Sequence, residues 1–194
     1  MGMNITKKVV SYGVQIWQKV LETARGGFAL DVTGLTIGET LKGGSLISFD
    51  ESTRIAKVIK AAVVQANATN TATDIRVLKG HPFKVGDYLA AVEGGKAYAI
   101  TVINTTDATY DTLTVGTTLG VALTAGDALF QSTATGASAA VALTPNGLSY
   151  EDYEITASTD IAVVTRGTVY ARRIPGIIAG LKSKLPLIIF SQSF

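Results

Sequence analysis

Short segments of alternating polar and apolar residues, each closed by glycine, asparagine or aspartate, dominate this chain and restrict it to a β fold. "YAITVINTT" (98–106), "DTLTVGTTL" (111–119) and "DIAVVTRGTVYARRI" (160–174) alternate or run apolar in stretches rich in Val, Ile, Thr and Tyr. Such side chains suit a pleated, half-buried surface. Turn residues recur about every 8–12 positions, the spacing of sandwiches and barrels. The expected fold class is mainly β, a small barrel-like central module with additional strands from the N- and C-terminal segments.

The segment 9–24 reads two ways. Val10, Tyr12, Val14 and Ile16 would share one face of a strand, whereas "IWQKVLETARGG" could be a helix stopped by Gly26-Gly27. Gly13 weakens a continuous helix, and an extended arm is the preferred reading. "TRIAKVIKAAVV" (53–64) is read as strand. Polar, turn-rich stretches at 65–74 and 131–147 divide the chain into an N-terminal arm and β region (1–72), a central module (73–131) and a C-terminal β segment (132–194) packing back on the rest.

The central module repeats a phrase. "FKVGDYL" (83–89) and "LTAGDAL" (123–129) stand forty residues apart. Gly86 and Gly126 are expected to take the positive φ of a turn, with Asp87 and Asp127 accepting hydrogen bonds from nearby backbone N–H groups. Two copies are too few for a solenoid and point to one turn used twice in one barrel.

The residues offer little chemistry. Cysteine is absent, which removes thiol nucleophiles, disulfides and cysteine zinc sites. A Ser-His-Asp arrangement must use His81, the sole histidine, with Asp87 as the nearest orienting acid. His81 precedes Pro82, so a turn histidine is the favoured reading. No G-x-S-x-G elbow surrounds Ser45, and "GLTIGETLKGG" lacks a phosphate-loop ending. The acids around 50–54, 106–111 and 150–154 do not follow the calcium-loop spacing, although loop carboxylates can hold calcium in β proteins. No cofactor or metal is expected.

Charge is unevenly spread. Residues 1–84 hold 11 Lys+Arg against 6 Asp+Glu, residues 85–165 hold one against nine, and residues 166–194 hold five bases and no acid. Arg172 and Arg173 continue a strand pattern, so their side chains would point to opposite faces and cannot form one phosphate-binding stripe. Nucleic acid is therefore not an expected partner; pairing with the acidic middle or an acidic neighbour is. The apolar run 185–190 is too short to span a bilayer, so no membrane role is expected.

"STRIAKVIKAAVV", "TDIRVLKGHPFKVGDYLA" and "AITVINTTDATYDTLTVGTTLGVALTAGDALF", with the tail from "PNGLSYEDYEI" to "LIIFSQSF", resemble the head-fiber and capsid-decoration proteins of tailed bacteriophages over roughly residues 45–194. The resemblance implies a non-enzymatic virion protein, made in the host bacterial cytoplasm and seated on the outer capsid surface. It implies the major capsid protein as partner and a homo-oligomer, with a trimer favoured. On that reading Tyr12, Trp17, Arg172, Arg173, Leu185, Ile188, Phe190 and Phe194 are the candidate interface residues; core packing is the rival reading for the apolar ones. Two other functions compete: a carbohydrate-binding or host-adhesion module, disfavoured by 7% aromatic residues, and a carboxylate-dependent hydrolase, whose acid pair no sequence spacing reveals.

Overall fold

The computed structural model describes residues 14–192. In chain order its strands are β1 (Trp17–Thr23), β2 (Phe28–Leu30), β3 (Thr40–Leu41), β4 (Leu46–Asp50), β5 (Ile55–Val58) and β6 (Ala61–Val63). There follow β7 (Asp74–Leu78), β8 (Tyr88–Ala90), β9 (Ala97–Asn104), β10 (Tyr110–Val115) and β11 (Ala128–Ser132). The last are β12 (Gly147–Ser149), β13 (Tyr153–Glu154), β14 (Asp160–Ile161), β15 (Val163–Tyr170) and β16 (Ile188–Ser191), with one short helix, α1 (Ala179–Lys182), ahead of β16. The fold is mainly β, as the alternation requires.

The described residues build a large sheet in the order β1-β15-β12-β4-β5-β2-β14, with β16 added beside β15. A second sheet of six strands runs β6-β11-β8-β9-β10-β7, and β13 pairs with β3. The six-stranded sheet curls until its ends meet. Val64 bridges Val77, and the Gln65 N–H donates to the Arg76 carbonyl at 2.8 Å. Inward residues of every strand fill it, among them Val64, Val77, Leu89, Ile100, Leu113 and Leu129. β7 shows the cause most clearly: its burial alternates residue by residue, with Ile75 and Val77 inside and Asp74, Arg76 and Leu78 outside.

This barrel is two interlocked triplets, β6-β7-β8 and β9-β10-β11. The third strands pair with each other (Phe130↔Ala90, Gln131↔Leu89). Each then pairs with the first strand of the other triplet's side, β8 with β9 and β11 with β6. The repeated phrase marks equivalent turns. Gly86 and Gly126 have φ of 95° and 97°. Asp87 Oδ2 accepts the Lys84 N–H and Asp127 Oδ2 the Thr124 N–H, both at 2.7 Å. Gly86 N–H donates to the Ile100 carbonyl and Gly126 N–H to the Val64 carbonyl, both at 2.8 Å. The barrel sheet begins at Ala61, ahead of the polar stretch 65–74, so its first strand comes from the expected N-terminal region.

The large sheet has its own cores. Trp17, Leu148, Val164, Val169, Leu181, Leu185 and Ile188 pack on one side, and Phe28, Ile47, Ile155 and Ile161 form another cluster. The segment 17–23 is a strand, not a helix, because it lies antiparallel on β15 from Trp17↔Val169 to Thr23↔Val164. Helical spacing in this short piece is overridden by a long partner strand.

Candidate functional site

A cleft of about 920 Å³ lies between the barrel and the large sheet, lined by Lys42, Ser45, Lys79, His81, Lys84 and Asp111 among others. Gly80 and Pro82 turn the chain here and carry His81 inward, where its side chain is only 5% exposed. The Phe83 N–H donates to His81 Nδ1 at 3.3 Å. The proton of the neutral ring therefore belongs on Nε2, which stands 3.3 Å from Asp111 Oδ2. The two do not align as a hydrogen bond, and Nε2 is otherwise buried without a partner. Burial lowers the His81 pKa, while the Asp111 carboxylate pulls it up and the Lys79 charge pushes it down. Burial wins, and the imidazole is held neutral.

The pair of His81 with Asp87 that a catalytic reading would need, and that the turn reading disfavours, does not form. Asp87 belongs to another network: Lys60 Nζ lies 2.5 Å from its Oδ2, and Gln131 Nε2 donates to its Oδ1 at 3.0 Å. Asp111 takes the place beside His81, and it is already bound to Lys79 Nζ at 2.6 Å. Sequence distance misled here because β10 brings Asp111 across the barrel from thirty residues away. Ser45 Oγ donates to the Lys42 carbonyl at 2.6 Å, so its proton is directed away from His81. Among the described residues no three His, Asp or Glu side chains form a metal-binding group.

Part of the charge asymmetry resolves into ion pairs within the chain: Asp87, Glu93, Asp111 and Asp152 of the nine acids in the middle are paired. Bases of the first part meet acids of the middle in Lys42–Asp152, Lys60–Asp87 and Lys79–Asp111, and Lys184 reaches Glu93 at 3.7 Å. Arg173 donates to the Gln15 carbonyl at 2.8 Å and stacks on Tyr170.

The candidate interface residues divide. Trp17, Leu185 and Ile188 are buried in the chain's own core, as the core-packing reading of them has it. Trp17 Nε1 donates to the Tyr150 carbonyl at 2.6 Å, so its polar edge is satisfied as well. Phe190 is half-buried under Lys182. Arg172 and Arg173 are exposed, but β15 ends at Tyr170 and they sit in the turn beyond it, not on opposite faces of a strand. Tyr12 and Phe194 lie outside the described residues.

Other apolar side chains do face outward. Leu187, just ahead of β16, and Ile189, within it, are 56% and 64% exposed, and Leu21, Val85 and Val102 are exposed as well. Strict alternation along "LPLIIF" would have separated Ile188 from Ile189. Across the sheet Ile189 is level with Thr168, which is level with Lys19. These three strands thus offer an outer face in which apolar and charged groups are mixed. No family model, curated protein or solved structure matches the chain. No helix among the described residues is long and apolar enough to cross a membrane.

Proposed function

We propose that this chain is a non-enzymatic structural protein of a tailed-phage virion, a capsid decoration or head-fiber subunit. It docks on the major capsid protein at the outer capsid surface and associates with copies of itself, a trimer being favoured. The observation that carries the reading is a division of labour among side chains. Lys60, Asp87 and Asp111 are tied into ion pairs with neighbours in the chain, and His81 is shut in at 5% side-chain exposure beside the already paired Asp111, while Leu187 just ahead of β16 and Ile189 on it stand out at the edge of the large sheet. Catalysis needs a polar group left available to a substrate. Attachment needs outward apolar area and repeated copies, since several weak contacts acting together hold far more tightly than one.

Light scattering after size-exclusion chromatography tests self-association, and co-sedimentation with undecorated capsids tests docking. A mass of several subunits and retention on capsids are expected. A strict monomer that stays in the supernatant ends the proposal.

A further inference from the structure

The two Gly-Asp turns match in backbone and differ in what fills them. Gly80 and Gly120, six residues ahead of each, have φ of 82° and 73°, so the likeness extends over both approaches. At the first turn Asp87 receives Lys60, the residue that leads into β6, and Gln131, which lies level with Leu89 on the neighbouring strand. The barrel's symmetry assigns counterparts to both. Lys60 corresponds to Lys96, which leads into β9, and Gln131 to Ala91, forty residues earlier. Neither counterpart does the same work. Ala91 has no donor, and Lys96 lies over Gly120, its Nζ 3.3 Å from where a Cβ would stand. Asp127 accepts the Thr124 N–H, and among the described residues no side chain docks on it. The space that Lys60 and Gln131 fill at the first turn is, at the second, part of an open groove of about 690 Å³. Asp127, Ala91, Val92, Val63, Val121 and Ile178 line it.

We propose that this groove is a socket for a lysine presented by a second protein chain, with Asp127 taking in trans the amine that Asp87 takes from Lys60 in cis. The turn geometry that holds the carboxylate is already built, so binding costs no reordering of it. The apolar walls fit the four-carbon stem of lysine and the apolar neighbours of an extended segment. Arg172 and Lys182 also line the groove, but Lys182 stands over the Phe190 ring, Arg172 has an interaction of its own, and among the described residues Asp127 accepts only the Thr124 N–H, so the carboxylate is the groove's acceptor for an incoming cation.

The test is a titration of the full chain with n-butylammonium chloride, the lysine side chain without its backbone, against sodium chloride at equal ionic strength. Amide NMR shifts report the site. Saturable shifts at Thr124–Ala128 and at Ala91 and Val92 are expected. Asp127→Asn should weaken binding about fivefold, the size of an exposed ion pair. Ala91→Gln, which restores the first turn's donor, should abolish it while the remaining spectrum is unchanged. Lys96→Met should leave it unaltered. Absence of saturable shifts, undiminished binding in Asp127→Asn, or several-fold tighter binding in Lys96→Met overturns the proposal, the last because Lys96 would then be the occupant. A chain that binds the amine but no capsid loses the virion role and keeps the socket.

Discussion

His81 Nε2 faces Asp111 Oδ2 at 3.3 Å, and Lys79 Nζ holds the other carboxylate oxygen at 2.6 Å. An imidazole beside a carboxylate suggests a general base with its orienter. The surroundings decide against it. Lys79 already neutralises Asp111, the ring accepts the Phe83 N–H through Nδ1, and burial keeps it uncharged. The cluster ties β7, β10 and the 79–83 turn together where the barrel meets the large sheet.

Stability should therefore fall on mild acidification. The ordinary His pKa of 6.5 applies to the unfolded chain, and the folded value is lower. Between the two the unfolded state binds more protons, so stability is full above about 6.5 and is lost as pH falls toward the folded value. One group contributes at most about 1.4 kcal/mol per pH unit. The depressed carboxyls Asp31, Asp50 and Asp107 act in the same direction only below their ordinary 3.8. Urea unfolding at pH 7.5, 6.5 and 5.5 should show the decline in the natural protein. His81→Asn keeps an acceptor for the Phe83 N–H and should be flat across that range.

Asp87→Asn should be among the most damaging single changes. Lys60 is 5% exposed at its side chain, and removing the charge opposite leaves a buried ammonium unpaired. Such losses run to about 3–5 kcal/mol. Asp127→Asn at the twin turn removes no buried partner and should cost less than 1 kcal/mol. Equal losses in chemical denaturation would show that the two turns are equally closed.

Trp17 makes its own placement testable, because the chain has one tryptophan. Its burial at 7% exposure and its bond to the Tyr150 carbonyl predict blue-shifted emission that acrylamide quenches poorly. Trp17→Phe keeps most of the apolar volume and leaves the Tyr150 carbonyl without its donor. A loss of about 1–3 kcal/mol is expected from thermal or urea unfolding.

Much of this was legible in the sequence, and for local reasons. Alternation reports burial directly, so the strands at 97–104, 110–115 and 163–170 appear within or close to the stretches where the pattern puts them. The Gly-Asp phrase reports a turn because glycine and aspartate act on their own backbone. Pairings across the chain carry no such local signal. Nothing near Asp111 announces His81, and nothing near Ala61 announces that β6 closes the barrel against β11. Arg172 and Arg173 were misread because the alternation runs on past Tyr170 while the chain turns there. Trp17 and Leu185 look like sticky terminal groups in isolation; only β15 and α1 beside them make them core.

Gly167→Ala tests the seam between β1 and β15. A Cβ there would lie 2.6 Å from the Lys19 carbonyl oxygen and 3.4 Å from Val20 Cα, both backbone atoms that cannot rotate away. The strands would have to separate locally, at about 1–3 kcal/mol. Amide exchange should quicken along β1 first, while the barrel strands β7 and β10 keep their protection.

Outward apolar residues at and just ahead of β16 should govern assembly without governing the fold. Ile189 is 64% exposed and Leu187 56%, so polar replacements there remove little buried area. The double change Leu187→Ser, Ile189→Lys should leave the unfolding midpoint within about 0.5 kcal/mol of the natural protein. A lysine on an edge strand also discourages pairing with a neighbouring sheet. If self-association or capsid docking uses this edge, the mass from light scattering should fall toward one subunit and capsid retention should drop together. Ile188→Ser, one residue away but facing inward, should do the reverse, lowering stability by about 2–4 kcal/mol through the cavity it leaves. Assembly that survives the outward pair intact would place the contact surface elsewhere on the molecule.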